Sequence, residues 1–260
     1  MTNPDKTTIP KLSIVIVVRD AERTIGQAIQ SASFADECLV VDTGSIDRTM
    51  EIVKESGIHV LQHSWEGYAK TKQWAVEQAA HDWVFILDAD EVISEALARE
   101  IRETIAVSSE SANGFSCPRR NYFLGKWMRW GGWYPDRVVR LFRKAQGHFS
   151  QVQVHESIIV EGKIGLLRAP LEHYTDDTLK TYLDKLNIYT SLGAEDLHNK
   201  GRCSHWWDLC FRPLWMFLRM AVFKLGILDG WRGILLAVLS SVHVLVKYVK
   251  LRNWESESQQ

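Results

Sequence analysis

"LSIVIVV", residues 12–18, is an apolar and mostly β-branched run in which Ser13 is the one polar member. A run without polar alternation is typical of a strand buried on both faces of a parallel sheet. Outward from it, further predicted strands are "ECLVVD" (37–42), "IHVLQH" (58–63) and "WVFILD" (83–88). Predicted helices lie between the strands, over residues 21–32, 45–57 and 68–80. Strands that alternate with helices predict crossover connections and a doubly wound, mostly parallel α/β sheet.

Polar residues follow three of these strands. Arg19 and Asp20 come after the first run, and Asp42 and Asp88 close the runs at 37–42 and 83–88. In a doubly wound sheet, ligands bind beyond the carboxyl ends of the strands, so the site is expected at this edge. For Asp42 the alternative is a helix N-cap, since Asp is a preferred capping residue.

Asp88 and Asp90 form an Asp-x-Asp element at the end of the fourth predicted strand. Two ionised carboxylates so close together repel each other unless a cation or hydrogen-bond donors compensate. A divalent cation is the natural compensator, and a few oxygen ligands suit Mg²⁺ or Mn²⁺. Asp90 and Asp88 are therefore the candidate metal ligands.

Three segments, taken together, resemble a known family: "LSIVIVVRDAERTI" (12–25), "LVVDTGSIDRTMEI" (39–52) and "ILDADE" (86–91). In this order and at this spacing they resemble the nucleotide-sugar-dependent glycosyltransferases of family 2, which have the GT-A fold, Rossmann-like in its sheet.

The resemblance implies roles for four acidic residues. It makes Asp42 the uracil-binding carboxylate, places Asp88 near the uridine ribose, and makes Asp90 the metal ligand that bridges to the diphosphate. Glu22 matches an acid that lines the nucleoside pocket. The family usually has Thr-Tyr-Asn where this sequence has Val-Arg-Asp at 18–20, which leaves stacking of the base at this point open.

Departure of a nucleoside diphosphate develops negative charge on the β-phosphate, which cations and basic side chains neutralise. Lys72, on the third predicted helix, is a candidate for this role. The alternative is a solvated lysine on the surface of that helix.

A transferase that inverts the sugar needs a base for the acceptor hydroxyl. Asp136, in "GGWYPDRVVRLFRKAQGHF" (131–149), precedes Gly147 by eleven residues, a spacing that resembles the family's later carboxylate motif. Glu156, in "QVQVHES" (151–157), belongs to a His-Glu pair that recurs in a bacterial subgroup of the family. Both remain candidates for the catalytic base. Arg137, Arg140 and Arg143 are either phosphate ligands or a solvated basic edge, and His173 is either a further metal ligand or structural.

The C-terminal part is rich in Trp, Phe, Leu and Val from residue 206 to residue 248. Its longest uncharged run, residues 233–246, is shorter than the roughly 20 residues that span a bilayer. Helical spacing gathers five polar residues on one stripe: Arg232, Ser240, His243, Lys247 and Lys250. A broad apolar face beside a basic stripe is typical of a helix that lies in a membrane interface. The alternative is a helical hairpin packed on the catalytic domain.

Charge is unevenly distributed along the 260 residues. Residues 200–252 carry nine Lys and Arg against two Asp, a balance of +7, so the remainder carries −8 of the total of −1. The four cysteines follow no metal-ligand or paired spacing, which predicts reduced thiols in a cytoplasmic protein. We expect a polar segment at 1–11, a catalytic domain at 12–180 divided near residue 110 into nucleotide-binding and acceptor halves, a helical membrane-associating extension at 181–252, and a polar segment at 253–260.

These observations predict an inverting glycosyltransferase on the cytoplasmic face of a membrane, peripheral to it, with no nucleic-acid partner. The resemblance implies a UDP-hexose donor and a lipid-linked saccharide acceptor. At the level of the whole chain, including "LGILDGWRG" (225–233), it points to the enzymes that add glucose to the inner-core heptose of lipopolysaccharide. Two alternatives stay open: a polyprenyl-phosphate sugar transferase, and a catalytically silent nucleotide-sugar-binding membrane protein.

Overall fold

The computed structural model describes residues 10–107, 112–150 and 157–257. The chain divides into two compact units. The first unit contains residues up to 119 together with 137–173, and the second contains 120–136 together with 174–260. Each unit is described separately below.

The helices and strands follow the alternation predicted for the first ninety residues. In chain order they are β1 (Leu12–Val18), α1 (Ile25–Ser31), β2 (Glu37–Asp42), α2 (Thr49–Glu55), β3 (His59–Gln62), α3 (Tyr68–Gln78), β4 (Trp83–Asp88), β5 (Glu91–Ile93), α4 (Glu95–Val107), β6 (Gly114–Phe123), β7 (Lys126–Trp127), β8 (Asp136–Arg143), β9 (Gly147–Phe149), β10 (Ile158–Val160), β11 (Ile164–Leu166), β12 (Leu171–Asp176), α5 (Leu179–Asn199), α6 (Trp206–Leu218) and α7 (Trp231–Glu257). Short 3-10 turns lie at Lys144–Gln146 and Gly226–Asp229, and a π-helical turn lies at Arg219–Phe223.

The main sheet has the strand order β3-β2-β1-β4-β8-β6-β12-β5. The first four strands are parallel to one another, as predicted. The pairs β4–β8 and β12–β5 are antiparallel, so the sheet is mixed. The difference arises because no α-helix lies between the described strands from β6 to β12, and antiparallel neighbours do not need one. After a long connection, β11 nevertheless pairs with β6 in parallel.

The quoted run is buried on both of its faces. Leu12, Ile14 and Ile16 pack in a cluster with residues of α1 and α4, while Val15 packs on the opposite side with residues of α3. Ser13 is fully buried as well, and its hydroxyl donates to the carboxylate of Glu37 at 2.5 Å. An apolar run with helices on both sides is therefore what places β1 in the centre of the sheet.

The second unit is built from α5, α6 and α7 together with residues 120–136. Its core contains Phe123, Met128, Met220, Leu236 and Ala237. This core joins the segment before β8 to the C-terminal helices, although about a hundred residues separate the two in the sequence.

The polar stripe of α7 contacts other residues of the second unit. Lys250 Nζ donates to the backbone oxygen and side chain of Asn187 and to the hydroxyls of Thr190 and Ser191, all within 2.9 Å. Arg232 Nε donates to the backbone oxygen of Leu124 at 3.1 Å. These basic groups are satisfied by protein oxygens, which differs from the expectation that the stripe lies against a membrane.

Large apolar side chains are instead exposed along α6, the turn that follows it, and the first half of α7. Phe211, Phe223 and Trp231 are each 60% exposed or more. Others in this set are Trp206, Trp207, Leu214, Trp215, Val222, Ile227, Leu228, Ile234 and Val238. Within the described ranges, one helical stretch, Trp231–Trp254, has the length and composition of a membrane span, a test that buried helices of soluble proteins also pass.

Candidate active site

Strand register brings two of the predicted carboxylates to one edge of the sheet. Asp42 is the partner of Val18 on one side of β1, and Asp88 is the partner of Val17 on the other side. Both aspartates end their strands at the carboxyl side, where ligands bind in doubly wound sheets. The register confirms that these two aspartates lie at the same edge of the sheet, and the ligand site expected there stays a prediction.

Asp42 is almost fully buried, and its carboxylate closes the turn that follows β2. It accepts hydrogen bonds from the backbone N–H groups of Gly44 and Ser45 at 3.2 and 3.1 Å. Gly44 has φ of +97°, a conformation that favours glycine. Because α2 begins only at Thr49, Asp42 is not the cap of that helix.

Glu22 is exposed and connects the loop after β1 to the loop after β2. Its carboxylate accepts from the backbone N–H of Arg48 at 3.2 Å, and its own N–H donates to Asp47 at 3.0 Å. In the same pair of loops, Asp20 accepts from the backbone N–H of Ile46 at 2.8 Å. These contacts fix two acidic loops side by side.

Asp88 is bonded by two cations. Lys72 Nζ donates to Oδ1 at 2.8 Å, and the Arg140 guanidinium donates to Oδ2 at 2.5 Å. Burial by itself would raise the pKa of Asp88, but Arg140 and Lys72 hold it well below the usual range of an aspartate. Lys72 is 7% exposed, so the alternative of a solvated helix lysine is wrong.

Glu91 is the fully buried counterion of this cluster. Its Oε1 accepts from Arg140 at 2.6 Å and from Arg119 at 3.3 Å, and its Oε2 accepts from the backbone N–H of Asp88 at 3.1 Å. Burial alone would lower the pKa of Arg140, but the two carboxylates raise it above its ordinary value. The solvated-edge alternative therefore fails for Arg140. The sequence does not predict this role of Glu91, because only the three-residue distance from Asp88 signals it.

Asp90 lies beside a histidine from the far end of the first unit. Its Oδ2 is 3.4 Å from His173 Nε2. The cause is the antiparallel pairing of β12 with β5, in which His173 is the partner of Glu91. Among the described residues, no group of three or more His, Cys, Asp and Glu side chains is arranged to hold a metal. The pair supplies one carboxylate and one imidazole.

Asp136 begins β8 in the second unit and is half-buried. Its Oδ2 accepts from Asn121 Nδ2 at 3.1 Å, and the same amide nitrogen lies 3.3 Å from the backbone oxygen of Trp133. The sequence does not predict this contact of Asn121, because an amide fifteen residues away from the carboxylate gives no pattern. Glu156, the other candidate base, lies outside the described residues, as does the His155 that precedes it.

The remaining arginines of the 131–149 segment contact protein groups. Arg137 donates to the backbone oxygen of Leu167 at 3.2 Å, and Arg143 pairs with Asp82 at 2.7 Å. Arg143 also lies over the ring of Trp83. All four cysteines are free thiols, and burial raises the pKa of Cys117 to about 12, so this thiol is neutral at physiological pH.

Comparison with known proteins decides the family. A family model described as glycosyl transferase family 2 matches residues 13–175, more than half of the chain. The chain belongs to glycosyl transferase family 2. The family 2 enzyme is thus a glycosyltransferase with the GT-A fold, and the carboxylate edge described above lies inside the matched region.

Two relatives match the family 2 enzyme over nearly its whole length. A lipopolysaccharide core biosynthesis glycosyltransferase, LpsC, of Rhizobium meliloti is 32% identical, with 94% of this chain and 93% of the relative covered. An uncharacterized glycosyltransferase, RT0209, of Rickettsia typhi is 27% identical, with 95% of this chain and 89% of the relative covered. The similarity therefore includes the C-terminal helices, which the family model does not match.

Solved structures are more distant from the family 2 enzyme. The S. aureus TarS 1-349 structure is 13% identical with a TM-score of 0.47, covering 96% of this chain and 92% of that one. Glucosyl-3-phosphoglycerate synthase from Mycobacterium tuberculosis, in complex with Mn²⁺, uridine diphosphate and glucosyl-3-phosphoglycerate, is 16% identical with a TM-score of 0.49, covering 74% and 81%. These likenesses are too distant to carry an argument about the site.

Proposed function

We propose that this family 2 enzyme transfers a hexose, in the first instance glucose, from a UDP-hexose to a lipid-anchored saccharide, the inner-core heptose of lipopolysaccharide. One observation carries the proposal: Asp88, held by two buried cations, stands two residues from the Asp90–His173 pair in a chain of this family. The printed name of the Rhizobium meliloti relative, at 32% identity, supports the choice of acceptor.

The donor nucleoside is assigned to the loops after β1 and β2. Asp42 and Glu22 bring carboxylates to these loops, and Asp88 lies across β1 from Asp42. Lys72 adds a buried ammonium group beside Asp88, suited to a charged diphosphate. In this proposal Asp88 binds near the ribose while Lys72 neutralises charge on the leaving group.

Asp90 and His173 are the proposed ligands of a divalent cation, Mg²⁺ or Mn²⁺. Both oxygens of Asp88 already bond to cations, so this carboxylate is less available as a metal ligand than the sequence suggested. The carboxylate oxygen of Asp90 is a ligand that suits Mg²⁺ and Mn²⁺, and donor phosphates and water would supply further ligands. The ion would stabilise negative charge on the departing diphosphate.

Inversion follows from a single displacement at the anomeric carbon. The acceptor hydroxyl oxygen forms the new bond as the bond to the diphosphate breaks, and the hydroxyl proton passes to a carboxylate base. Asp136 is the leading candidate because Asn121 fixes its orientation, and Glu156 is the alternative. Whichever of the two is not the base is proposed to orient the acceptor or the sugar.

Membrane association is proposed on the cytoplasmic face, as a peripheral contact. Its support is the exposed apolar set of α6, the turn that follows it and α7, which includes Phe211, Trp215 and Phe223. Amphipathic helices of this kind bury aromatic and aliphatic side chains at the boundary between headgroups and acyl chains. The basic stripe is not part of this surface, because protein oxygens bind Arg232 and Lys250.

The test is transfer from a panel of UDP-hexoses to truncated lipopolysaccharide, with Mg²⁺ or Mn²⁺. We expect transfer of glucose, and a loss of at least about 10²-fold in turnover for Asp90→Asn, since that carboxylate would hold the cation. Transfer only to polyprenyl phosphate would support the first alternative function. Donor binding without hydrolysis or transfer to either acceptor would support the silent binding protein.

The base is tested separately with Asp136→Asn and Glu156→Gln. The variant that lacks the base loses kcat while donor binding persists, because proton transfer occurs only in the transition state. Wild-type transfer rates in both variants would exclude both residues as the base.

A further inference from the structure

The second unit contains a cavity of about 370 Å³ whose role the proposed function does not explain. The volume lies within the range of about 300–1,000 Å³ that is common for ligand sites. Its lining includes two aromatic residues, three basic residues and a serine: Trp133, Tyr182, Arg219, Lys224, His243 and Ser240.

The charge of this cavity is positive. Arg219 and Lys224 line it, and no carboxylate is among its lining residues in the described part of the chain. Neither of these two side chains forms an ion pair with another described residue, whereas elsewhere in the unit Arg212 is paired with Asp208. Two unpaired cations around one cavity favour an anionic ligand, and Arg is suited to two-point binding of carboxylate or phosphate.

Neutral donors and rings complete the lining. Burial, Lys247 and Lys250 lower the pKa of His243, so its imidazole is neutral near pH 7. A neutral imidazole and the hydroxyl of Ser240 offer hydrogen bonds without further charge. Trp133 and Tyr182 add rings beside these polar groups, a combination of apolar walls and a few polar groups that is usual in ligand sites.

The cavity is continuous with the segment that positions the candidate base. Gly131, Gly132 and Trp133 line it, three to five residues before Asp136. The backbone oxygen of Trp133 and the carboxylate of Asp136 both lie within hydrogen-bonding distance of Asn121 Nδ2. A ligand in the cavity is therefore held by the segment that also holds this carboxylate.

Two contacts fix this segment against the C-terminal turns. The backbone N–H of Gly131 donates to the backbone oxygen of Lys224 at 2.8 Å, and the backbone N–H of Trp130 donates to the Asp229 carboxylate at 2.8 Å. The stem of Lys224 passes close to Gly132, where an added Cβ would lie 3.8 Å from it. The basic wall and the base segment are thus parts of one local structure.

We propose that this cavity is an acceptor subsite that binds an anionic group, phosphate or carboxylate, carried by the saccharide next to the sugar that receives the hexose. The inference rests on the proposed function, because it names a feature of the acceptor. A phospholipid headgroup has the same chemistry, so the experiment separates the two sources.

The test uses the full-length protein with Arg219→Gln and Lys224→Gln combined. The matched control combines Lys200→Gln and Arg252→Gln, which removes the same charge from exposed residues that do not line the cavity. Both pairs are exposed, so folding is expected to persist, and UDP binding with thermal unfolding checks this. Arg219→Lys keeps the charge but loses two-point binding, so it is expected to weaken binding less than Arg219→Gln does.

Titration calorimetry measures the binding of two probes. The anionic probe is a deacylated, phosphorylated inner-core oligosaccharide. The neutral probe is the same oligosaccharide after dephosphorylation and removal of its acidic sugars. We expect the cavity pair to weaken binding of the anionic probe by about 10²-fold, roughly tenfold for each lost charge-assisted hydrogen bond, while the control pair has little effect. The neutral probe should bind both pairs alike. In transfer assays the loss should appear in KM rather than kcat.

Three results would overturn the inference. Equal weakening in the cavity pair and the control pair would mean non-specific attraction. An unchanged affinity for the anionic oligosaccharide would exclude the subsite. Loss of binding to phosphatidylglycerol vesicles alone would assign the cavity to a phospholipid headgroup. Calorimetry measures binding and does not require turnover. If the proposed transfer reaction fails but the anionic probe still binds the two pairs of variants differently, the proposed function is wrong and the subsite is not.

Discussion

Replacing Arg140 with methionine removes the central cation of the buried cluster while keeping a long side chain. Its guanidinium bonds to Asp88 and to Glu91, and its own side chain is 8% exposed. Glu91 is fully buried, so its charge has no access to water once Arg140 is gone. The variant therefore leaves a buried carboxylate that is only partly compensated.

The expected loss in the free energy of unfolding depends on which partners Glu91 and Asp88 keep in the variant. Breaking a buried ion pair by removing one partner costs about 3–5 kcal/mol. Glu91 keeps Arg119 at 3.3 Å and the backbone N–H of Asp88, and Asp88 keeps Lys72 at 2.8 Å. We therefore expect the lower end of that range, about 3 kcal/mol in the free energy of unfolding. Adding Glu91→Gln removes the stranded charge and should recover about 1–3 kcal/mol relative to the sum of the single variants.

Urea unfolding followed by circular dichroism at neutral pH measures these differences. The matched control is Arg143→Met on the same strand, whose partner Asp82 is 54% exposed, and whose loss should cost about 1 kcal/mol. Equal destabilisation by Arg140→Met and Arg143→Met would refute the reasoning. So would additive effects of Arg140→Met and Glu91→Gln, since coupling through one cluster is the basis of the estimate.

Three further predictions concern other parts of the molecule. Gly233→Ala should lower the free energy of unfolding, measured in urea, by about 1–3 kcal/mol, because its Cβ would lie 1.9 Å from the backbone oxygen of Gly226. The control Gly193→Ala, whose Cβ would meet only the flexible side chain of Lys247, should be neutral or stabilising. Similar losses of stability in both variants would contradict this prediction. Asp88 has a folded pKa below its unfolded value near 3.8, so its ionic contribution is complete above about pH 4 and is lost as pH falls towards the folded pKa. Accordingly, the stability gap between wild type and Asp88→Asn should be constant above about pH 4 and shrink as pH falls from about 4 to about 3 in urea titrations; a gap that stays constant over that lower range would contradict the assignment. Phe211→Asp, at a side chain 62% exposed, should weaken co-sedimentation with anionic vesicles by about tenfold or more with little change in thermal unfolding, and unchanged co-sedimentation would remove this surface from the membrane contact.

Much of the fold of the first ninety residues could be predicted from the sequence because its signals are local. β1, β2 and β4 have the predicted bounds, since each is a continuous apolar run between helical patterns. The positions of Asp42 and Asp88 followed from those runs and from the rule for carboxyl ends. Their roles in the reaction stay predictions.

The features that could not be predicted from the sequence depend on contacts between residues that are distant in the sequence. His173 reaches Asp90 only through antiparallel pairing of β12 with β5, and a lone histidine gives no sign of such pairing. From the sequence alone, Arg140 and Glu91 could each be an exposed surface charge. The opposite charge that compensates each of them in the buried cluster lies 49 residues away along the chain. The same holds for the basic stripe of α7, since the oxygen partners of Lys250 come from α5 and that of Arg232 is the backbone oxygen of Leu124.

Asp229 has a consequence for how such enzymes can be recombined. Its buried carboxylate accepts a hydrogen bond from the backbone N–H of Trp130, and its backbone oxygen accepts one from Lys126. Both partners lie in the segment before β8, which the sequence analysis assigned to the catalytic domain. A gene fusion that exchanges everything after residue 180 would remove these bonds and leave the segment before β8 without its anchor. A chimera with a different C-terminus must therefore exchange residues 120–136 together with the C-terminal segment, so that both come from the same parent protein.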